Sequence, residues 1–118
     1  MHPHIADLDA TAALLHVARR TAASWAQAGR IPAIKVGGQW RFWTPAVIEA
    51  MGGPRTLPPS DDPVIVTPED VAEMLGLSHS ATYQLLRSGA IPAVKAGSRW
   101  RIHWPTIRDS IINGQSLG

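Results

Sequence analysis

Residues 31–42 read IPAIKVGGQWRF, and residues 91–102 read IPAVKAGSRWRI. The phrase returns sixty positions later, and the register continues on both sides of it without a gap. Ile5 matches Ile65, Ala12 matches Ala72, Leu15 matches Leu75, Gly29 matches Gly89 and Pro45 matches Pro105. An ungapped repeat of this kind means that one structural unit occurs twice. The chain of 118 residues therefore divides into unit 1 (1–51), a connecting stretch (52–63) and unit 2 (64–118), although its length alone predicts one domain. Each unit lies near the lower size limit for independent folding, so each core has to be compact.

The connecting stretch contains Gly52, Gly53, Pro54, Pro58, Pro59 and Pro63 and almost no apolar side chains. It reads as a semi-rigid linker that spans at most roughly 40 Å when extended. There is no cysteine, which excludes disulfides, thiol chemistry and cysteine-based zinc sites. The histidines show no ligand spacing, and no Ser/His/Asp arrangement or glycine-rich phosphate loop is present. The reading is of a protein that is not an enzyme and carries no metal and no cofactor. No stretch has the length and apolarity of a membrane span, and the N-terminus lacks the apolar core of a signal peptide, so the expected location is the cytoplasm, at the nucleoid.

The formal charge of +2 hides a segregation along each unit. Asp7, Asp9 and Glu49 flank Arg19, Arg20, Arg30, Lys35 and Arg41; Glu69, Asp70, Glu73 and Asp109 flank Arg87, Lys95, Arg99 and Arg101, with Arg108 the exception. Such segregation gives a basic face on a nearly neutral chain, the electrostatic footprint of a nucleic-acid binder.

Unit 2 is the clearer copy. Thr67-Pro68-Glu69-Asp70 supplies a capping hydroxyl, a proline at the first helical position and acids in the first turn. Val71, Met74 and Leu75 then give one apolar face, and Gly76 ends the helix. Ser78 caps a second helix running to about Ser88, which Gly89 closes. Two short helices joined by a tight turn are a helix-turn-helix candidate. Residues 91–102 follow as a β-hairpin turning at Ala96-Gly97-Ser98, and a last helix starts at Pro105 and closes at Asn113-Gly114. Unit 1 repeats this plan more loosely, with Ala18 in place of the Ser78 cap and Trp25 in place of Leu85. The fold class is mainly α with small β-hairpins (α+β).

Each unit resembles the winged helix-turn-helix domains of phage excisionases and MerR-like DNA-binding proteins. The resemblance rests on Leu77-Ser78-His79-Ser80-Ala81-Thr82-Tyr83 and on Gly89 through Ile102, with its Ile-Pro, Lys, Gly and Trp-Arg landmarks. It covers nearly all of unit 2 and most of unit 1, and it implies a recognition helix in the DNA major groove with a wing beside the backbone or minor groove. Unit 1 departs from the pattern at Ala18 and at Ala23, which stands where unit 2 has Tyr83.

Side chains near the start of a recognition helix face base edges. These are Arg19, Arg20 and Ser24 in unit 1, and His79, Ser80, Tyr83 and Gln84 in unit 2, with Arg87 further along. Arginine suits guanine and glutamine suits adenine. Lys35, Gln39, Arg41, Lys95, Arg99 and Arg101 lie on or beside the wings, where phosphate or minor-groove contact is expected. Trp40 and Trp100 are expected in the core. The reading is a tandem pair of winged helix-turn-helix units binding double-stranded DNA as a covalent pseudo-dimer, one chain acting as a monomer. It would serve as an excisionase-like architectural factor or a transcriptional regulator of a phage or mobile element, with a recombinase or the transcription machinery as second partner. In the competing reading unit 2 alone binds DNA and unit 1 binds a protein.

Overall fold

A short strand, a capped helix, a second helix, a hairpin and a closing helix make up each unit. The structure, a computed structural model, describes residues 1–59 and 61–117; Ser60 of the expected linker and Gly118 of the expected second unit lie outside the described residues. Unit 1 contains β1 (Ile5–Ala6), α1 (Leu8–Leu15), α2 (Arg19–Gln27), β2 (Ile34–Val36), β3 (Gln39–Trp43) and α3 (Thr44–Ala50). Unit 2 contains β4 (Ile65–Val66), α4 (Pro68–Leu75), α5 (His79–Ser88), β5 (Val94–Ala96), β6 (Arg99–His103) and α6 (Trp104–Asn113).

The helix ends follow from their side chains. The Asp70 N–H donates to the Thr67 hydroxyl at 3.2 Å and the Thr67 N–H donates back to the Asp70 carboxylate at 3.1 Å, a reciprocal cap on α4. Asp7 caps α1 by accepting from the Ala10 N–H at 2.8 Å, and Ser78 caps α5 by accepting from the Ala81 N–H at 3.0 Å. Ala18 gives α2 no side-chain cap. In the turn after the first helix the backbone is left-handed in both units: Gly76 has φ 65°, and His16 takes the same conformation at φ 57° without glycine's freedom.

Each hairpin is widened to three antiparallel strands, in the orders β1-β3-β2 and β4-β6-β5. The added edge strands, two residues each, were not expected from the sequence. The wing of unit 1 turns on Gly37 and Gly38, both at positive φ, as the two central residues of a type I′ turn require.

The pairing register assigns the side chains to two faces. Ile34 opposes Arg41, Val36 opposes Gln39 and Ile5 opposes Trp43, so these six share one face; Lys35 opposes Trp40 and Ala6 opposes Phe42 on the other. Phe42 enters the core of unit 1 with Leu8, Ala12, Ala22, Ala26, Ile31 and Val47. The outer face turns away from that core and packs against unit 2. Ile5, Ile34, Val36 and Trp43 belong to one buried cluster with Val71, Leu75, Leu86, Ile91, Ile102, Trp104, Ile107 and Ile111.

Two polar clasps cross the same boundary. The Arg41 guanidinium donates to the Leu75 carbonyl at 2.5 Å and the Gly76 carbonyl at 3.0 Å, and is steadied by the Trp40 carbonyl at 2.8 Å and the Gln39 side-chain oxygen at 2.7 Å. Burial lowers its pKa from the ordinary value, with Asp7 acting in the opposite sense; arginine starts so far above neutrality that it remains a cation. The second clasp is His2, whose ring lies between Trp43 and Trp104 with centroids 5.1 and 5.7 Å away. Its Nδ1 accepts from the His4 N–H at 3.0 Å, so Nε2 carries the proton given to Asp62 at 2.9 Å. Asp62 also accepts from the Trp104 indole N–H at 3.1 Å, and the His2 backbone N–H donates to the Met74 carbonyl at 3.0 Å.

The expectation of two units spaced by a linker is thus revised. The linker connects bodies that already touch through a shared core, so its extended reach does not set their separation. Arg41, expected on the wing surface, is 4% exposed and spent on the neighbouring unit. Its repeat equivalent Arg101 has no such neighbour, which provides an internal control. Replacing Arg41 with Met should cost about 2–4 kcal/mol, because it leaves carbonyls in the interface without donors. Arg101→Met at a dilute concentration should cost below about 0.5 kcal/mol, the range of ordinary surface substitutions. Urea unfolding of the two variants checks this, and equal losses would refute the clasp.

Candidate nucleic-acid interface

The second helix of each unit buries one side and leaves the other open. In α5, Thr82 and Leu86 are inward, while His79, Ser80, Gln84 and Arg87 are exposed. Ser80, Gln84 and Arg87 follow one another at i, i+4 and i+7 and form a single stripe. In α2, Ala22 and Ala26 are inward and Arg19, Arg20 and Ser24 are exposed. Repeat register places Arg20, Ser24 and Gln27 where unit 2 has Ser80, Gln84 and Arg87. Gln27, also exposed, was not among the residues expected from the sequence; applying the sixty-residue register to Arg87 would have found it.

Both stripes present hydrogen-bonding side chains of lengths that suit base edges. Two of the polar tips on these helices, Arg19 and Tyr83, already have partners. Arg19 pairs with Asp9 at 2.7 Å, both side chains well exposed, a contact that water and salt weaken and that another anion could replace. The Tyr83 hydroxyl donates to the Glu69 carboxylate at 3.0 Å. Glu69 is held below the usual carboxylate range, first by a backbone N–H at the helix start and then by the Tyr83 hydroxyl. The same bond raises the Tyr83 phenol above its ordinary value. Each unit therefore tethers its second helix to the first turn of its first, through Asp9–Arg19 in one and Glu69–Tyr83 in the other.

The wings bring further residues to these helices. One cleft is lined by Asp9, Arg19, Gln39, Trp40 and Arg41, and its counterpart by Glu69, Tyr83, Arg99, Trp100 and Arg101. The Lys35 ammonium lies 5.1 Å from the centre of the Trp40 ring, and the Lys95 ammonium 5.3 Å from that of Trp100. Both tryptophans are half-buried and pack against their cores, so each acts as a platform that holds a cation at the wing surface. Among the described residues, Arg20, Lys35, Arg87, Lys95, Arg99 and Arg101 form no ion pair with an acid.

Arg41 is the residue that leaves this set, and it takes the tip of Gln39 with it. The face of unit 1's sheet that carries them is turned to unit 2, whereas the corresponding face of unit 2 is open. The Gly37 turn lies close to α5, where a Cβ at Gly37 would stand 3.6 Å from the Leu85 side chain, so the wing of one unit flanks the second helix of the next.

No group of three or more His, Asp or Glu side chains among the described residues is placed to hold a metal ion, and none of the helices described is long and apolar enough to cross a membrane. No curated protein and no solved structure matches the chain. A family described as a helix-turn-helix domain matches it twice, at residues 7–43 and 65–103. Helix-turn-helix domains of this kind suggest DNA binding and are generally non-enzymatic. With both matches covering the helices and hairpins just described, the chain belongs to the excisionase-like helix-turn-helix family, whose domain it carries in tandem.

Proposed function

We propose that the chain binds double-stranded DNA sequence-specifically through α2 and α5 together. The observation that carries this reading is the pair of exposed, repeat-equivalent stripes, Arg20/Ser24/Gln27 and Ser80/Gln84/Arg87, on two helices fixed in one body. Arg20, Gln84 and Arg87 read bases, with Arg19, Ser24, His79, Ser80 and Tyr83 beside them. Lys35, Lys95 and Arg99 hold phosphates, and Arg101 adds to the wing of unit 2. Phosphate contacts fix register and add affinity, while base contacts choose the site.

The manner in which the units join bears on the target. Unit 1 uses its outer sheet face and unit 2 its helix turn, so the contact is head to tail and no two-fold axis relates the units. Half-sites repeated in one direction fit this arrangement, whereas a palindrome fits a two-fold dimer. The longest dimension of the molecule, 46 Å, exceeds the roughly 34 Å of one DNA turn. A body of that length is compatible with contact to two adjacent major-groove segments. An architectural factor aiding a recombinase, or a transcriptional regulator of a phage or mobile element, would use such a body, and the site of action would be the nucleoid.

A reading in which unit 1 serves mainly as a protein-binding module is favoured by the uncapped Ala18 and the withdrawal of Arg41. The protein that the outer sheet face of unit 1 contacts is unit 2 itself, and no α2 residue belongs to the buried cluster that the units share.

Selection from random duplex DNA should yield a direct repeat at one fixed spacing. Recovery of an inverted repeat would reject the head-to-tail reading. On the selected site, Gln84→Ala should lose about 1–3 kcal/mol and relax the preference at one base pair. Lys95→Ala should weaken all sequences alike and reduce the slope of log K against log salt by about 0.9. Titrations at several salt concentrations on matched and scrambled duplexes separate these effects. Loss of affinity without change of preference in Gln84→Ala would mean that α5 does not read bases.

A further inference from the structure

The joint between the units uses one face from each, and each of those faces has an unused twin. The outer sheet face of unit 1 is covered: Ile5 is 6% exposed and Ile34 is 3% exposed. The same positions in unit 2 are Ile65, 57% exposed, and Val94, 70% exposed, two apolar side chains left in water. By the pairing of β4, β5 and β6 they share a face with Ala96, Arg99, Arg101 and His103. With Pro92, Ala93 and Thr106, Ile65 and Val94 line a shallow, mainly apolar groove.

Arg101 is set for the same task as Arg41. Its Nη1 donates to the Trp100 carbonyl at 2.7 Å, as that of Arg41 does to the Trp40 carbonyl at 2.8 Å. The Nε and Nη2 groups, which in Arg41 reach the Leu75 and Gly76 carbonyls, have no such acceptor in Arg101 among the described residues.

The receiving face also has its twin. In unit 2 it is the turn after α4, with Met74, Leu75, Gly76 and Leu77, together with Leu85. The equivalent residues of unit 1 are Leu14, Leu15, His16, Val17 and Trp25, and Leu14 is 43% exposed. His16 has φ 57° and ψ 41° where Gly76 has φ 65° and ψ 42°, so the backbone of the two turns has the same course. At the equivalent of His16, the first side-chain carbon would meet side-chain atoms and no backbone. A Cβ at Gly76 would crowd only the terminal methyl of Met1, at 2.8 Å, and the equivalent of Met1 is Asp61. An imidazole would there meet a carboxylate. The helix after the hairpin is shorter in unit 1, Thr44–Ala50 against Trp104–Asn113, so this second joint is smaller than the one within the chain.

We propose that copies of this chain associate head to tail, the outer sheet face of unit 2 in one copy seating on the α1–α2 turn of unit 1 in the next. Arg101 donates to the carbonyls of Leu15 and His16, and Ile65 and Val94 pack beside Leu14 and Trp25. The contact is heterologous, so it adds copies in series and does not close a symmetric pair. It makes no use of the DNA-reading stripes, and it is tested without DNA so that its failure leaves the DNA-binding reading standing.

The test uses the full chain and two substitutions at exposed positions, Val94→Asp and Leu14→Asp, each confirmed as folded by circular dichroism and urea unfolding. In sedimentation velocity the unsubstituted chain should show species beyond the dimer that grow with concentration up to the millimolar range. Each variant alone should lose all species above the monomer. An equimolar mixture should regain a dimer and stop there, because each variant keeps one working face. A chain that stays monomeric at millimolar concentration, variants that assemble as well as the original, or a mixture that does not pair would each overturn the proposal.

Discussion

The guanidinium of Arg41 is the point on which the arrangement of the two units depends. A buried cation is tolerable only where donors meet acceptors, and here four oxygens surround it, two from its own hairpin and two from the turn of the other unit. Its direction is fixed by strand alternation, because Arg41 opposes Ile34 on the sheet face that looks away from the core of unit 1. Apolar contact supplies the larger driving force. Burying a side chain such as Ile34 or Val36 contributes about 1.5–3 kcal/mol, and both lie on that face. The arginine adds what apolar packing lacks, a directional requirement that only one docking geometry meets.

The two units have unequal cores as a result. Unit 1 surrounds Phe42 largely with alanines, Ala12, Ala22, Ala26 and Ala33, while unit 2 fills its interior with Val, Leu, Ile and Trp104. Unit 1 thus keeps Leu8, Ile31 and Val47 for its own core and places Ile5, Ile34 and Val36 on the shared boundary. Its hairpin acts as an outer layer for unit 2, and the tandem behaves as one body with an asymmetric division of labour: one wing given to cohesion, the other left open.

Much of this could be read from the sequence where a local rule applies. Thr67 with Asp70, Ser78, Gly76 and Gly89 fix helix ends within a few residues of themselves, and the twelve-residue phrase identifies both hairpins. The strands β1 and β4 were not legible, because two residues carry no periodicity. The fate of Arg41 was not legible from its motif either, since Trp-Arg occurs in both units and only one of the arginines is buried. The distinguishing signal lies beside it. Ile34 and Val36 in unit 1 make the outer face apolar and Phe42 makes the inner face apolar, and a sheet apolar on both faces has to be covered on both. Val94 and Ala96 carry that signal only weakly. For the DNA-facing residues, burial of Thr82 and Leu86 fixes which side of α5 is open, whereas the partner of a half-buried side chain such as Tyr83 depends on a residue fourteen positions away.

The direction of the joint has a consequence for biosynthesis. Unit 1 leaves the ribosome first, and tandem domains generally fold in that order, at roughly 5–20 residues per second. Here the cover for Ile34, Val36 and Trp43 is supplied by residues not yet made, so the leading unit is left for on the order of seconds with an apolar sheet face in water. Its alanine-rich interior is a modest anchor during that interval. The final packing of the N-terminal half therefore waits for the C-terminal half, and the nascent chain, more than the finished protein, is the form most exposed to aggregation and most in need of a chaperone.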